Sequence, residues 1–360
     1  MIRPWSERLA CAPPVGVALV SAPPPRCYRL RPDRPHHCLP ILPWRLTLGL
    51  LCFLTACSCE TTQSARTDIK YRDSAGSAPA ADAGAGASAD VSQPSILIDP
   101  DTLVALRAEG AALLDARGAV AFRVDHIPGA VHAPWDQFVS GLLNGVIDDD
   151  VVVIEAELQA MGVRADRPVL IVGDWDKGWG EEGRVFWTLE YLGHRDVRVL
   201  YGGMPRWLAE ARPTESFSKD PPRGDFKVAL RPELRATADF IQEGLKAEGG
   251  LVLLDARHVE EFEGATPYGE ARGGHIPGAK HLFWQSIFSD EGNLKDYGVL
   301  RSEMAAAGVG GGRPTVVYCT GGVRSGFLYM VLRWLGFEGV RNYDGSWWEW
   351  SASEDLPVAP

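Results

Sequence analysis

At 360 residues the chain is long enough for two ordinary domains, each burying its own core, and 46% hydrophobic against 23% charged residues is a globular balance. The formal charge of −11 is unevenly spread. Residues 1–56 carry seven arginines against Glu7 and Asp33, a balance of +5, which leaves −16 for the remainder. An acidic body argues against nucleic acid as a partner.

The first 43 residues are rich in proline and arginine and show no apolar periodicity. Trp44-Arg45 then precede an apolar run from Leu46 to Leu54, which ends in Leu54-Thr55-Ala56-Cys57. A basic flank, a short apolar core and small residues before a cysteine form the pattern of an export signal over residues 1–56, too short to span a bilayer. The last four residues resemble a bacterial lipobox. That resemblance implies that Cys57 becomes a lipidated N-terminus, anchoring the protein to a membrane of the cell envelope and facing the periplasm. The alternative is a cytoplasmic chain with a buried apolar segment. A preamble of 43 residues is long for such a signal, so translation starting further downstream also fits. Residues 57–94, rich in Ser, Ala, Gly and Asp, bury too little apolar surface to fold and form a flexible tether.

Six of the seven cysteines (Cys11, Cys27, Cys38, Cys52, Cys57 and Cys59) lie in the first 59 residues, none with C-x-x-C spacing. The remainder has only Cys319, which excludes an internal disulfide there. No metal site and no cofactor are expected.

From residue 95 the chain repeats itself. Leu113-Leu114-Asp115-Ala116-Arg117 recurs as Leu253-Leu254-Asp255-Ala256-Arg257, and His126-Ile127-Pro128-Gly129-Ala130 as His275-Ile276-Pro277-Gly278-Ala279. Arg167-Pro168 before Val169-Leu170-Ile171-Val172 matches Arg313-Pro314 before Thr315-Val316-Val317-Tyr318, and Tyr201-Gly202-Gly203 matches Tyr343-Asp344-Gly345. One duplication accounts for all of these. Short apolar strands alternate with helical stretches in both copies, which predicts an α/β fold: two tandem domains, each a mainly parallel sheet flanked by helices. The domains run over 95–220 and 221–360, joined at Pro221-Pro222-Arg223-Gly224. A stripe of Phe327, Leu328, Val331, Leu332 and Leu335 predicts a helix facing the sheet and ending at Gly336.

The second copy carries the chemistry. A strand ends at Cys319, and Thr320-Gly321-Gly322-Val323-Arg324-Ser325 follows into that helix. A thiol at a strand end, facing a helix N-terminus beside an arginine, is set up to ionise. Gly321 and Gly322 permit a tight loop whose N–H groups cradle an anion, and Arg324 adds fixed positive charge for the thiolate or an anionic donor. Ser325 either supplies a hydroxyl or caps the helix, the cap being favoured. Aligning the Arg-Pro strands sets Gly173 opposite Cys319. The following loop in copy one is about three residues longer and has no thiol, so one active site is expected.

These motifs, in this order over residues 95–356, resemble the rhodanese family of sulfurtransferases in tandem arrangement. The resemblance implies a catalytic second domain and a silent first one, with Cys319 carrying a persulfide. Sulfur then moves from a small donor to cyanide or another thiophilic acceptor. It implies a substrate-binding set of Arg257, Thr320, Gly321, Gly322, Val323, Arg324 and Ser325. Arg257 stands where many members hold the donor's oxyanion, although a salt bridge like one open to Arg117 is the other possibility. Asp255 is expected to orient rather than to carry protons, and the duplicated turn marks His275 as architectural. Thiosulfate is the expected donor. Mercaptopyruvate enzymes of the family tend to have an arginine where Glu261 stands, and a glutamate repels a substrate carboxylate. A sulfur-carrier or protein-binding module is a further alternative, with Trp347, Trp348 and Trp350 as its surface. Cysteine phosphatases and arsenate reductases use C-x5-R, whereas Cys319 to Arg324 is C-x4-R, a loop sized for sulfur.

Overall fold

A computed structural model describes residues 95–360 apart from 142, 248 and 249; the export signal, the tether and Cys57 lie outside the described residues. In each copy the apolar runs form five short strands. The first sheet comprises β1 (Leu97–Ile98), β2 (Ala112–Asp115), β3 (Val131–His132), β4 (Val169–Val172) and β5 (Val197–Leu200), in the order β1-β5-β4-β2-β3. The second comprises β6 (Arg235–Ala236), β7 (Val252–Asp255), β8 (Lys280–His281), β9 (Thr315–Tyr318) and β10 (Val340–Tyr343), in the order β6-β10-β9-β7-β8. The two orders are identical once five is subtracted, and all pairings are parallel; Leu114 opposes Ile171 as Leu254 opposes Val317. Strands β4 and β9 are buried along their whole length, which explains their unbroken apolar runs.

The topology positions the catalytic loop. From β7 the chain moves outward to the edge strand β8, then returns to β9 on the other flank of β7. At such a reversal the loop after the central strand opens at the carboxyl ends of the sheet, where parallel sheets bind ligands.

The predicted stripe lies on a helix spanning Val323–Trp334, with Phe327, Leu328, Val331, Leu332 and Leu335 all buried. Its far side is buried too, including Tyr329 and Met330, because the first-domain helix Glu181–Tyr191 packs against it. Glycine makes this contact close. A Cβ on Gly183 would lie 2.2 Å from Phe327 Cα, and one on Gly326 would lie 2.7 Å from Arg184 Cα. At the other end of the pair Glu190 accepts from Tyr329 Oη at 2.8 Å and from Arg333 at 2.9 Å. The helix that carries Arg324 is therefore seated between its own sheet and the first domain. One apolar cluster runs through both domains along this seam, while two smaller ones fill the outer face of each sheet. The join follows the first domain before entering the second: Gly224 donates to Gln159 O and Phe226 to Val163 O.

Candidate active site

Cys319 is the first residue after β9, and four residues later the helix has begun. Gly322 occupies the N-cap with φ of 78°, a left-handed conformation that costs an ordinary residue about 1–2 kcal/mol. The loop between is defined by where its carbonyls go. Cys319 O accepts from Trp347 N at 3.0 Å and Thr320 O from Trp348 N at 2.9 Å. Gly321 O faces Arg184 Nη1 at 3.4 Å, and Gly322 O accepts from Asn342 Nδ2 at 3.2 Å. The peptide that turns Thr320 O outward turns the Gly321 N–H toward the sulfur, and the Ser325 N–H, in the first turn of the helix, faces it as well. Three of the four donors come from the second domain's own Asn342 and Trp347-Trp348, and one from the first domain.

Ser325 is the third residue of the helix and does not cap it; Gly322 holds that place because the turn needs a positive φ. The Ser325 hydroxyl donates to Asn342 Oδ1 at 2.7 Å and stands 3.6 Å from Cys319 Sγ. Cys319 N donates to Ser346 Oγ at 3.1 Å, and Ser346 itself has φ of 52°. Thr320 hydroxyl donates to Glu261 Oε1 at 2.7 Å, the Trp348 ring occupies the space a side chain at Gly321 would need, and Val323, half-buried, opens the helix.

Arg324 is 3% exposed and its guanidinium is gripped by Glu261 through two hydrogen bonds of 2.6 and 2.8 Å. Its face is covered by Trp179 of the first domain at 5.6 Å and Tyr268 at 5.7 Å. Its charge reaches the sulfur as a field across protein rather than through water. Burial pushes the Cys319 thiol up, but the Arg324 charge and the donors from Ser325 and Gly321 outweigh it, leaving the thiol below its ordinary value. Burial likewise raises the Glu261 carboxyl, and its bonds to Arg324 more than reverse this.

Arg257 and Asp255 form a fully buried pair, Nη2 to Oδ2 at 2.7 Å, with the guanidinium over Trp347 at 4.6 Å. In the first domain Arg117 and Asp115 repeat the pair at 2.8 Å. His275 stacks on Phe262 at 3.7 Å with Nδ1 3.0 Å from Phe262 O, and His126 does the same with Phe122 at 4.0 and 2.7 Å. Both histidines pin the start of their turn to the helix before it.

The counterpart of the active loop has an acid where the second domain has the arginine. Gly173 follows β4 as Cys319 follows β9, and Gly173 to Gly180 spans eight residues where Cys319 to Gly322 spans four, one more than alignment predicts. Glu182 holds the helix position that Arg324 holds in the second domain. Its Oε1 accepts from Trp175 N at 3.0 Å, and its Oε2 lies 2.2 Å from where a Cβ on Gly173 would stand. The carboxyl fills the space a thiol side chain would need. Burial, and then the neighbouring Glu181 charge, push it well above the usual carboxylate range.

A family model for the rhodanese-like domain matches residues 99–210 and again 237–353. The chain belongs to the rhodanese family. Among its relatives, a thiosulfate sulfurtransferase of Corynebacterium glutamicum is 34% identical, covering 66% of this chain and 80% of that protein. One of Pseudomonas aeruginosa is 31% identical over 73% and 96%. The sulfur carrier protein TtuD of Thermus thermophilus is 32% identical over 65% and 85%. Among solved structures, the 3-mercaptopyruvate sulfurtransferase SseA of Escherichia coli shares the fold, with a TM-score of 0.61 at 24% identity over 71% of this chain and 99% of that one.

Several residues of this rhodanese site escape a motif-by-motif reading. Glu261 carries a signal, lying one residue before the aromatic that closes the D-A-R segment, but its partner is 63 residues away. Asn342 and Ser346 sit beside the recognisable Tyr343-Asp344-Gly345, yet only the folded loop shows them against Cys319. Arg184 comes from the other domain altogether.

One prediction follows from the Arg324–Glu261 pair. A depressed thiol stabilises the fold at pH above the unfolded thiol's value, and the contribution is lost as pH falls through the folded one. Alkylation of Cys319 should fall off at that lower pH, below the free thiol's 9.0. Glu261→Gln keeps an acceptor for Arg324 but deletes a negative charge. Iodoacetamide alkylation should then persist to lower pH, while the denaturant midpoint reports a loss of about 3–5 kcal/mol. A midpoint of alkylation that rises would refute this assignment of the field.

Proposed function

We infer that the protein is a thiosulfate sulfurtransferase with Cys319 as its single sulfur-bearing nucleophile. The Cys319 thiolate attacks the sulfane sulfur of thiosulfate; the donor's S–S bond breaks and sulfite departs with the electron pair. The persulfide left on Cys319 is an anion one atom longer than the thiolate, and the inward N–H groups stabilise it as well. A thiophile such as cyanide then attacks the outer sulfur, and Cys319 leaves as thiolate. Atoms and charge balance in both halves without a metal or an external redox partner.

The observation that carries this reading is a thiol lowered toward thiolate in a four-residue amide cradle at C-x4-R. Arg324 is already bound to Glu261 and Thr320, with little capacity left for a tetrahedral oxyanion, which disfavours a phosphatase or arsenate reductase. Donor recognition falls to the cleft between domains. There a cavity of about 220 Å³ is lined by Lys177, Gly178 and Trp179 from the first domain and His258, Trp284 and Gln285 from the second. Lys177 and His258 suit an anionic donor. Arg257, with Nη1 buried and without a hydrogen-bond partner among the described residues, is the other candidate for the donor's oxyanion. Mercaptopyruvate is the less favoured donor because Glu261 replaces the arginine expected for its carboxylate. The likeness to a sulfur carrier protein leaves a protein thiol as a second class of acceptor.

Incubation with thiosulfate followed by intact mass measurement should add one sulfur atom to the wild type and none to Cys319→Ser. The absence of an adduct with either thiosulfate or mercaptopyruvate excludes the sulfurtransferase reading, and turnover of an aryl phosphate supports the phosphatase. We also propose export and lipidation at Cys57, supported by the lipobox-like Leu54-Thr55-Ala56-Cys57 and the polar stretch after it. Cys57→Ser should leave the protein unprocessed or released from membranes, and unchanged fractionation would count against the anchor.

A further inference from the structure

Four arginines are almost wholly buried among the described residues: Arg117, Arg184, Arg257 and Arg324. Three hold a carboxylate within 2.8 Å. Arg184, on the first-domain helix Glu181–Tyr191 and 0% exposed, has none within ion-pair distance among the described residues. Removing a guanidinium from water without a counter-charge is costly, so a fold that retains one has an anion for it nearby.

The surroundings narrow the choice. Trp187 and Trp135 present ring faces at 4.9 and 5.7 Å. Nη2 donates to Gly145 O at 2.5 Å, and Nε has no hydrogen-bond partner among the described residues. Nη1 faces Gly321 O at 3.4 Å, and it lies 2.2 Å from where a Cβ on Gly322 would stand, so the guanidinium is seated directly against the catalytic loop. Burial pulls Arg184 down to about 10, and the groups whose charges reach it are Asp344, Cys319 and Arg235. Asp344 is already committed: Oδ1 accepts from Arg235 at 2.8 Å and Oδ2 from Ile147 N at 2.9 Å. Asp344 acts on Arg184 first and the sulfur second, and the sulfur is the one of the two that lies in the loop the guanidinium touches.

We propose that Arg184 of the first, thiol-free domain is a positioning residue whose guanidinium is the second buried counter-charge for the Cys319 thiolate and persulfide. It acts through the loop. By holding Gly321 O it fixes the Gly321–Gly322 peptide of the loop that carries the sulfur, and its charge adds to that of Arg324 in a low-dielectric setting. The first domain thus completes the electrostatics of an active site whose nucleophile it does not supply. This rests on Cys319 as the reacting thiol but not on sulfur transfer itself.

The test is the pH profile of Cys319 alkylation by iodoacetamide on the full chain, with no sulfur donor present. Arg184→Met replaces a buried cation by an apolar chain of similar length, a change cores tolerate. It should move the profile upward by about one unit, which is about tenfold slower alkylation at pH 7. Arg184→Gln should do the same, and Arg184→Lys, which keeps the charge, should leave the profile close to that of the wild type. A profile unmoved in a folded variant, whatever its melting temperature, overturns the proposal, because a role in packing alone leaves the thiolate midpoint in place. A readout independent of substitution at Arg184 is its side-chain Nε resonance. It should titrate together with Cys319 in wild type and lose that transition in Cys319→Ser; a transition that persists, or none in wild type, also overturns it. If the Met profile shifts while thiosulfate leaves no sulfur on the protein, the donor assignment falls and this one stands.

Discussion

The constraint on which the site depends is the outward turn of four consecutive carbonyls, from Cys319 to Gly322. A peptide unit that points its oxygen away from a centre points its N–H toward it, so fixing the oxygens fixes the cradle. Three elements fix the four oxygens: Trp347 and Trp348 at the start of the last helix, Asn342 on β10, and Arg184 from the first domain. Much of the remaining architecture serves those donors. Asp344, which precedes the last helix, is tied to Arg235 at β6 and to Ile147 N across the domain seam. Gly183 and Gly326 let the two central helices approach closely enough for Arg184 to lie beneath the loop.

A second consequence is the separation of charge from contact. In a site built to bind an oxyanion, the arginine would present its fork to the ligand. Here the fork of Arg324 is closed on Glu261, roofed by Trp179 and Tyr268, and excluded from water. What reaches the sulfur is the field of a cation partly offset by its own partner. That suits a nucleophile which must be a thiolate in one half-reaction and a persulfide anion in the other, because neither state needs a fixed ligand at the terminal atom. The first domain shows the same frame with the opposite setting. Glu182 replaces Arg324, Gly173 replaces Cys319, and the Glu182 carboxyl fills the gap.

The fold was legible because duplication doubled every signal. Unbroken apolar runs such as Val169–Val172 and Thr315–Tyr318 mark the central strands, and the repeated Asp-Ala-Arg and His-Ile-Pro-Gly-Ala segments mark two tandem copies of one fold, while the strand order is visible only in the structure. Cys319, Gly322 and Arg324 were legible because strand, nucleophile, positive-φ residue and helix follow one another without interruption. The helix cap was misjudged at Ser325, since a serine near a helix start is an ordinary cap and the left-handed turn at Gly322 is visible only in the backbone. The residues that bind the loop from afar left no local trace. Glu261 acts over 63 residues of chain, and Arg184 over 137 to Gly321. Such pairs depend on how β7, β9 and the two helices pack, which no periodicity encodes.

A single structure can test whether the loop amides hold a sulfur anion covalently attached to Cys319. A crystal structure of the protein after exposure to thiosulfate should show one additional atom on Cys319 Sγ, within hydrogen-bonding distance of the loop N–H groups and with the Arg324–Glu261 pair intact. A tetrahedral anion resting in the loop beside an unmodified thiol, with Arg324 swung from Glu261 to bind it, would contradict the account.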